Sequence, residues 1–426
     1  MHSWSLGIER QISKNSAVQA RYVGNHAIDL FQSVDGNPFI ADLQAQFPQF
    51  VPPGLTPCPA SQQIGPGAGT DVGRVNCGTG VLRQRTNTGF SNYNGVQLEY
   101  RANNILKQLT VRAGYTFSKT LDNVSEIFST GVAGNTVAFP QNPLDPSRGE
   151  YSFSGLDYPH TFSAIVAEQV PFFKDQHGLF GHLLGGWVIA GNYLLQSGQR
   201  YTPSQVTGIA SATAAGDFYD AAFLGAFVGT DTARPFLGNL NAPATSVGIF
   251  AGDACNLFGS IGPGGPEPIC NGSIAPTQLI SLNAINQSQA GLLDVNGNPV
   301  APVTATSAQV RYIVNAGTAQ TIFGTPFGNM PRNIAQDAIS NIANVSLAKR
   351  FKLSERASFE LRANFLNVLN HPNYASIDPF VEDAGATPKT PFNGFGDPTV
   401  SNDVPSNINF PVSASRRVVF GGTLRF

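Results

Sequence analysis

One short stretch of the chain contains the residue types of a hydrolase triad. Asp157, His160 and Ser163 offer a carboxylate, an imidazole and a hydroxyl, which together can activate a serine as a nucleophile. The stretch also has the alternating pattern of a β-strand, in which successive side chains point to opposite faces. At these spacings, Asp157 and Ser163 would face away from His160. We therefore expect no catalytic site here, and we expect that the protein is not an enzyme.

Two other stretches have residues that can bind a cation. His177 and His182 lie in a predicted turn with only Asp175 nearby, whereas a structural zinc ion is normally held by four ligands. The segment DVNGNP, 294–299, alternates oxygen-bearing residues as a calcium loop does, but its glycine, Gly297, comes too early for that motif. A β-turn explains the segment better. We expect neither a metal site nor a cofactor.

The four cysteines form two local pairs. Cys58 and Cys77 lie in one predicted loop, and Cys255 and Cys270 lie in another. Cysteines paired within loops indicate an oxidising compartment, since thiols stay reduced in the cytosol. We expect two disulfides, and the alternative is four free thiols.

The composition limits the class of protein that could position these residues. Charged residues make up 12% of the 426 residues, about half of the roughly 25% that is usual in soluble proteins. The mean hydropathy is -0.05, and no stretch offers the roughly 18 apolar residues of a membrane helix. These features fit an outer-membrane β-barrel or a secreted all-β protein. A net charge of -2 gives no electrostatic reason to expect nucleic acid as a partner.

Alternation of apolar and polar residues predicts about nine β-strands, and the clearest hairpin joins the third to the fourth. The predicted strands cover about 2–12, 18–31, 93–103, 109–118, 158–170, 187–201, 342–351, 356–368 and 414–426. Their connections alternate between short or medium and long. Outer-membrane barrels show this asymmetry, with short periplasmic turns and long extracellular loops. The sequence therefore predicts an all-β, antiparallel transmembrane barrel.

The largest connection covers about 203–337. Structureless loops beyond about 15 residues are uncommon in compact proteins. We therefore expect it to be a large extracellular loop insertion that folds locally and is held by Cys255 and Cys270. The whole chain, 1–426, would otherwise be one segment of the barrel wall.

Each predicted strand has an apolar and a polar face. Residues expected to face lipid are Leu98, Val111, Leu361 and Leu424, and residues expected to face the lumen include Thr423. The charged residues on the polar faces are Glu99, Arg101, Arg112, Glu360 and Arg362. They could line a path for a solute, or they could form ion pairs that satisfy charge inside the wall. Aromatic residues that fit either interfacial girdles or a scattered distribution are Tyr22, Tyr93, Tyr100, Tyr115, Trp187 and Tyr201.

The last strand ends on an aromatic residue. Val418, Phe420, Leu424 and Phe426 share its apolar face. A bare apolar edge aggregates in water, whereas a membrane barrel uses its last strand to close the ring. A terminal Phe on such a strand resembles the assembly signal of bacterial outer-membrane proteins. That resemblance implies outer-membrane lipid and the barrel-assembly machinery as partners.

Several stretches together resemble the Oar-like TonB-dependent outer-membrane transporters. They are YVGNHAIDL at 22–30, YNGVQLEYR at 93–101, AGYTFSKTLDN at 113–123, the Asn-Pro, Asp, Arg-Gly, Asp and His positions within 142–160, LLGGW at 183–187, QSGQRYTP at 196–203 and FELRANFLNVLNHPNY at 359–374. Thr161, Leu366 and Leu369 depart from the family pattern. The resemblance implies the bacterial outer membrane as the location, and binding or uptake of a solute as the function. A non-transporting surface or adhesion barrel is the alternative.

The family implies a barrel of about 22 strands with a plug and a motif that contacts TonB. The roughly nine predicted strands match its C-terminal end, and the sequence shows no plug, no TonB-contact motif and no targeting segment. We therefore expect an incomplete barrel, an open curved sheet with free edges at 4–12 and 414–426. TonB would act only through an N-terminal part outside this sequence, and the solute remains unknown.

Overall fold

The structure is a computed structural model. It describes residues 1–38, 40–59, 72–79, 82–105, 108–125, 140–147, 149–173, 176–205, 234–258, 270, 272–289, 291, 293, 296–299, 301, 303–354, 357–373, 379, 381, 384–385 and 416–426.

Strands dominate the described residues. In chain order they are β1 His2–Ser13, β2 Ser16–Asp35, β3 Arg83–Ile105, β4 Leu109–Asp122, β5 Ser152–Phe153, β6 His160–Gln169, β7 Trp187–Gln196, β8 Arg200–Tyr201, β9 Phe236–Leu237, β10 Val247–Phe250, β11 Leu279–Ser281, β12 Tyr312–Ile313, β13 Ala335–Gln336, β14 Ser340–Lys352, β15 Ser358–Leu366 and β16 Arg417–Arg425. The helices are α1 Ala41–Gln46, a 3-10 turn at Pro48–Phe50, α2 Gly178–Leu184, α3 Ala251–Phe258, α4 Leu282–Gln289 and α5 Gly317–Phe323. None of the helices in the described ranges combines the length and the apolar character needed to cross a membrane.

Nine long strands form one antiparallel sheet in the order β1-β2-β3-β4-β6-β7-β14-β15-β16, and the short strand β5 adds to β4. The strands follow each other in sequence order, as the alternation of short and long connections predicts. Within the described residues, β1 pairs only with β2 and β16 pairs only with β15, so the sheet is open. The prediction of an all-β, antiparallel, unclosed barrel wall is confirmed.

The strand register gives the sheet two chemically different faces. Residues directly opposite each other on neighbouring strands share a face. Leu98 lies opposite Ala20 and Tyr115, and the same apolar face continues through Leu347 to Phe420. We call this side the apolar face and the other the polar face. Leu98, Val111, Leu361 and Leu424 all lie on the apolar face, and Thr423 lies on the polar face.

Several strand boundaries differ from the sequence prediction, and the two largest differences are in β3 and β7. The β2–β3 ladder continues to Asp35 and back to residue 83, beyond the predicted start at 93. The added residues are mostly polar, with Val34 and Phe90 as exceptions, so they show no alternation. The sixth long strand ends at Gln196 instead of about 201, and β8 pairs with β13 in a separate two-stranded sheet.

The described part of the largest connection forms a second core. Its four-stranded sheet has the order β11-β10-β12-β9, and α3, α4 and α5 pack beside it. Fully buried side chains in this core include Val247, Ile249, Ile280, Leu282 and Ile285. We call residues 234–258, 270–289 and 303–334 the loop domain. Val381 and Ala384, from the connection that follows β15, are buried in the same core.

Candidate functional site

The first predicted charge cluster lies on the polar face near the short turns. The Glu99 carboxylate accepts a hydrogen bond of 2.6 Å from Arg112 Nε and lies 3.7 Å from Arg101 Nε. Arg101 also reaches Glu9 at 3.2 Å. Because Arg101 and Arg112 are direct cross-strand neighbours, their like charges would repel without Glu99 between them. The arrangement is a chain of alternating charges, to which Glu9 is an addition that the sequence analysis missed.

The second cluster is centred on Glu360. Its two carboxylate oxygens accept hydrogen bonds from Arg362 at 2.7 Å and from Arg350 at 3.0 Å. Arg350 was not among the predicted residues, although it lies directly across from Glu360 in the β14–β15 hairpin. The backbone N–H groups of Leu353 and Ser354 both donate to the Ala357 carbonyl, at 2.9 and 3.0 Å, and this short connection fixes the register, so the hairpin sequence does contain the signal for this pair. All five predicted charged residues therefore lie on the polar face and take part in ion pairs.

Between this second cluster and the long loops, the polar-face residues of β7, β14 and β15 are uncharged, whereas Arg417 of β16 lies on the same face opposite Leu366. A groove of about 420 Å³ is lined there by Asn192, Asn344, Ser346 and Asn364, among others. Ser346 Oγ donates to Asn364 Oδ1 at 2.7 Å, and Asn344 Nδ2 donates to Asn192 Oδ1 at 3.4 Å. Amides and hydroxyls can both donate and accept hydrogen bonds, but Ile165, Leu366 and Val419 also line the groove, so its lining combines polar and apolar groups.

A buried network of charges lies at the other end of the strands, where the long loops meet. Arg332 donates to the Asp122 carboxylate and lies 3.5 Å from Glu150. Arg234 makes a bidentate pair with Glu150, with distances of 2.7 and 3.1 Å. All four side chains are almost completely buried. Burial lowers the pKa of Arg234 from its ordinary value, and the neighbouring Glu150 carboxylate opposes that change. We call these four residues the rim network.

Amide side chains near the rim network make further contacts between the loop domain and the rest of the chain. Gln141 donates from Nε2 to the Gly328 carbonyl at 2.9 Å and accepts from the Gly328 N–H at 2.8 Å. Asn333 donates to the Phe153 carbonyl at 2.8 Å and receives a hydrogen bond from Thr202 Oγ1 at 2.9 Å. These contacts fasten the loop domain to β5, to the segment before it at Gln141 and to the segment after β8 at Thr202.

The structure does not bring the triad residues together. Asp157 is fully buried and accepts hydrogen bonds from Arg200 Nε at 2.6 Å and from the Thr120 N–H at 2.7 Å. His160 lies on the apolar face and bonds through Nδ1 to the Tyr115 hydroxyl at 2.8 Å. Ser163 lies on the polar face, opposite Gly114. Asp157 thus serves as a link between β4 and the segment at β8.

No group of three or more potential metal ligands forms among the described residues. His177 precedes α2 and His182 lies within it. Asp175 and Asp294, from the two candidate cation stretches, lie outside the described residues. That the protein has neither a metal site nor a cofactor stays a prediction.

Both cysteine pairs are disulfides in the structure. Cys58 and Cys77 have Cα atoms 5.2 Å apart, and Cys255 and Cys270 have Cα atoms 5.3 Å apart. The first closes the loop after β2, where Arg74 binds Asp35 and the Asn37 carbonyl. The second packs against the core of the loop domain.

The aromatic residues divide between several environments. Tyr22, Tyr100, Tyr115 and Trp187 lie on the apolar face, Tyr93 lies on the polar face, and Tyr201 is buried in the core of the loop domain. The interpretation that Tyr93 and Tyr201 belong to an interfacial girdle is therefore wrong. In the last strand, Val418, Phe420 and Leu424 are exposed on the apolar face, and Phe426 follows directly after β16. Residues 414 and 415 of the predicted strand lie outside the described residues.

Comparison with known proteins places this geometry in a family. The family model described as "Outer membrane beta barrel domain" matches residues 1–264 and 272–405. No protein of curated function matches the chain. Two similar solved structures are the outer membrane transporter YddB from Escherichia coli, at 10% identity and a TM-score of 0.32, and the ferric-catecholate import receptor Fiu from E. coli K12, at 9% identity and 0.24.

These two structures are much longer than the part that this chain matches. The matches cover 87% and 85% of this chain but only 28% of YddB and 32% of Fiu. The family model, by contrast, spans nearly the whole sequence, including every long strand of the sheet except β16 and most of the loop domain. The chain therefore belongs to the outer membrane beta barrel domain family, and its location is the bacterial outer membrane.

Proposed function

We propose that this chain forms part of the wall and the extracellular rim of a TonB-dependent receptor of the Oar-like kind, which binds a solute and takes it up. The observation that supports this function is the rim network, which fixes a folded domain at the loop end of a polar sheet face. In this proposal the apolar face meets outer-membrane lipid and the polar face lines the lumen. The chain catalyses no reaction and contributes no cofactor.

The placement of the loop domain favours uptake over simple surface display. A domain used only for adhesion can be tethered by a flexible linker. Here Arg332 binds Asp122 at the end of β4, and Ser152 Oγ donates to the Arg332 carbonyl at 2.7 Å. Buried charge pairs of this kind are strongly destabilised when one partner is removed, so they hold one defined arrangement. A fixed domain above a polar lumen can select what enters.

The remaining partners follow from the same proposal. β16 engages the barrel-assembly machinery during insertion, since its apolar residues are exposed along the open edge. TonB acts through an N-terminal part that is outside this sequence. Nucleic acid is not a partner, because the net charge is only -2.

One observation favours the alternative, a surface or adhesion barrel. The loop domain exposes Leu240, Val303 and Ile322, and exposed apolar side chains can contact another surface. In this case the loop domain would act without any passage of solute through the wall.

The two functions separate in a strain that lacks the gene. Uptake of labelled metal chelates, oligosaccharides, peptides and cobalamin is compared in the deletion strain, in a strain complemented with the full gene, and in a third with residues 234–330 replaced by a short Gly-Ser linker. We expect uptake of one solute class to require both the loop domain and the proton gradient. The alternative would be established if the deletion strain took up every solute class as well as the complemented strain did but lost adhesion.

A further inference from the structure

The connection between β6 and β7 exposes an unusual amount of apolar surface. It contains α2, in which Leu179 is 81% exposed, Phe180 is 70% exposed, Leu183 is 63% exposed and Leu184 is 45% exposed. With about 3.6 residues per turn, these four side chains lie on one side of the helix. The connection lies at the same end of the sheet as the short turns, which is the periplasmic end in barrels of this kind.

The connection is fastened to the sheet, so the exposed side chains of α2 are held in one defined position. Gln176 is buried, donates to the Arg350 carbonyl at 2.7 Å and accepts from the Lys352 N–H at 3.2 Å. Gly185 fits so closely that a side chain there would collide with the Phe173 and Gly181 carbonyls. These contacts hold the segment against β14, one strand beyond its own hairpin.

The C-terminal end of α2 is joined to the apolar face of the sheet. Trp187 and Lys349 are direct neighbours in the β7–β14 register, and both belong to that face. Trp187 Nε1 donates to the Leu183 carbonyl at 3.0 Å, and Lys349 Nζ donates to the same carbonyl at 3.2 Å. Lys349 Nζ also donates to the Gly185 carbonyl and lies 5.1 Å from the centre of the Trp187 ring.

Tryptophan and lysine at the end of an apolar barrel face are typical of the boundary between acyl chains and headgroups. The apolar side of α2 continues from this boundary, so it adjoins the surface that lipid covers. A helix with one apolar side lies in this boundary region, with that side buried about 5–10 Å into it.

We propose that α2 is an interfacial helix that binds the phospholipid of the periplasmic leaflet through Leu179, Phe180, Leu183 and Leu184. The occupant of this surface is lipid, because the surface is continuous with the apolar face and is anchored to it through Trp187 and Lys349. The helix then sets the depth of the β6–β7 hairpin in the bilayer. This role is independent of solute uptake.

Site-directed spin labelling tests the position of the helix directly. All four cysteines of these 426 residues are in disulfides, so an introduced cysteine is the single free thiol once any thiol outside this sequence has been replaced by serine. Phe180→Cys and Leu183→Cys place a nitroxide on the apolar side, and His182→Cys is the matched control on the other side of the same helix. The full protein is reconstituted in vesicles of phosphatidylethanolamine and phosphatidylglycerol. We expect labels at 180 and 183 to be relaxed mainly by oxygen, and a label at 182 mainly by a water-soluble nickel chelate.

Two outcomes would overturn the proposal. Equal access of the nickel chelate to all three labels would place α2 in water. Low access of both reagents at 180 and 183 would show that a protein surface covers the helix instead of lipid.

A second measurement avoids substitutions in α2. These 426 residues contain two tryptophans, so Trp4→Phe leaves Trp187 as the only one once any tryptophan outside this sequence has been replaced by phenylalanine. Phospholipids brominated near the headgroup should quench Trp187 fluorescence more strongly than those brominated near the chain end. Quenching that is absent or strongest for the deep bromine contradicts the interfacial position.

Discussion

The sheet and the loop domain place the same residue types in opposite environments. In the sheet, Leu6 is 75% exposed and Phe420 is 73% exposed, whereas Ile249 and Ile285 of the loop domain are completely buried. In a protein of the outer membrane, the bilayer supplies the apolar surroundings that the sheet itself does not provide. The loop domain, which we propose to lie at the extracellular rim, has a buried core of its own. The same chain therefore covers its apolar side chains in two ways, with lipid around the sheet and with a protein core in the loop domain.

The charges differ between the two regions in the same way. The Arg112 side chain on the sheet is 66% exposed, whereas the Arg332 side chain of the rim network is 2% exposed. Exposed ion pairs contribute little to stability because water and salt screen them. Buried pairs have no such screening, and removing one partner leaves the other charge stranded. The ion pairs on the polar face therefore neutralise charges locally with little effect on stability, whereas the rim network holds the loops in place.

The largest effect is expected from a change in the rim network. Arg332→Met removes a partner from both Asp122 and Glu150, and breaking a buried pair costs about 3–5 kcal/mol. Hydrogen exchange should become much faster in the loop domain, while the strands of the sheet stay protected. Arg112→Met is the matched control, since an exposed pair costs about 1 kcal/mol or less. Similar losses in both variants would erase the distinction between the two regions.

The two faces of the sheet are compared by adjacent substitutions on β14. Leu347 lies on the apolar face and Ser346 on the polar face, at nearly the same depth. Arginine on a lipid-facing position near the bilayer centre costs roughly 2–4 kcal/mol. We therefore expect Leu347→Arg to reduce the amount of protein assembled in the outer membrane far more than Ser346→Arg. Equal assembly of the two variants would mean that the faces are wrongly assigned.

The disulfides test whether the loop domain is stabilised independently of the sheet. Cys255 and Cys270 are 15 residues apart, and a link across a loop of this length contributes about 3 kcal/mol. Replacing both by serine should increase proteolysis within the loop domain only. The matched control, serine at Cys58 and Cys77, should increase cleavage in the loop after β2 instead. Simultaneous loss of both regions in either variant would contradict separate stabilisation.

The smallest effect concerns Asp337, between the loop domain and β14. Burial raises the pKa of its carboxyl to about 6 from the ordinary 3.8, although the Ala338 N–H partly opposes this. The folded protein therefore keeps this proton where the unfolded chain loses it, so stability falls as the pH rises from about 4 to about 6. We expect Asp337→Asn to stabilise the loop domain at pH 7, on the order of 1 kcal/mol, and to change little below pH 4. Hydrogen exchange at both pH values measures the difference, and a gain that is independent of pH would contradict it.

The strands of the sheet were predictable because each has to satisfy two different surroundings at once. In β4, apolar and polar residues alternate, and this local pattern is visible in the sequence alone. This alternation of apolar and polar residues ends where the two faces of a strand have the same surroundings. The extension of β3 over residues 83–92 has mostly polar residues on both sides, so nothing in its sequence marks it as a strand.

The rim network and the shared core of the loop domain were not predictable in this way. Asp122 and Arg332 are 210 residues apart, and no local period connects them. Val381 and Ala384 reach the core of the loop domain from another connection, which the sequence gives no reason to pair with it. The helix α2 was missed because seven residues between two strands are too few for a helical period to stand out.

The sequence distance across the rim network has a consequence for the time course of folding. The two disulfides close loops of 19 and 15 residues, and short loops close readily. The contact of Arg332 with Asp122, in contrast, spans 210 residues. Contacts between distant residues form slowly. We therefore expect a newly inserted molecule to pass through a stage in which its loops are already cross-linked but its rim is still open.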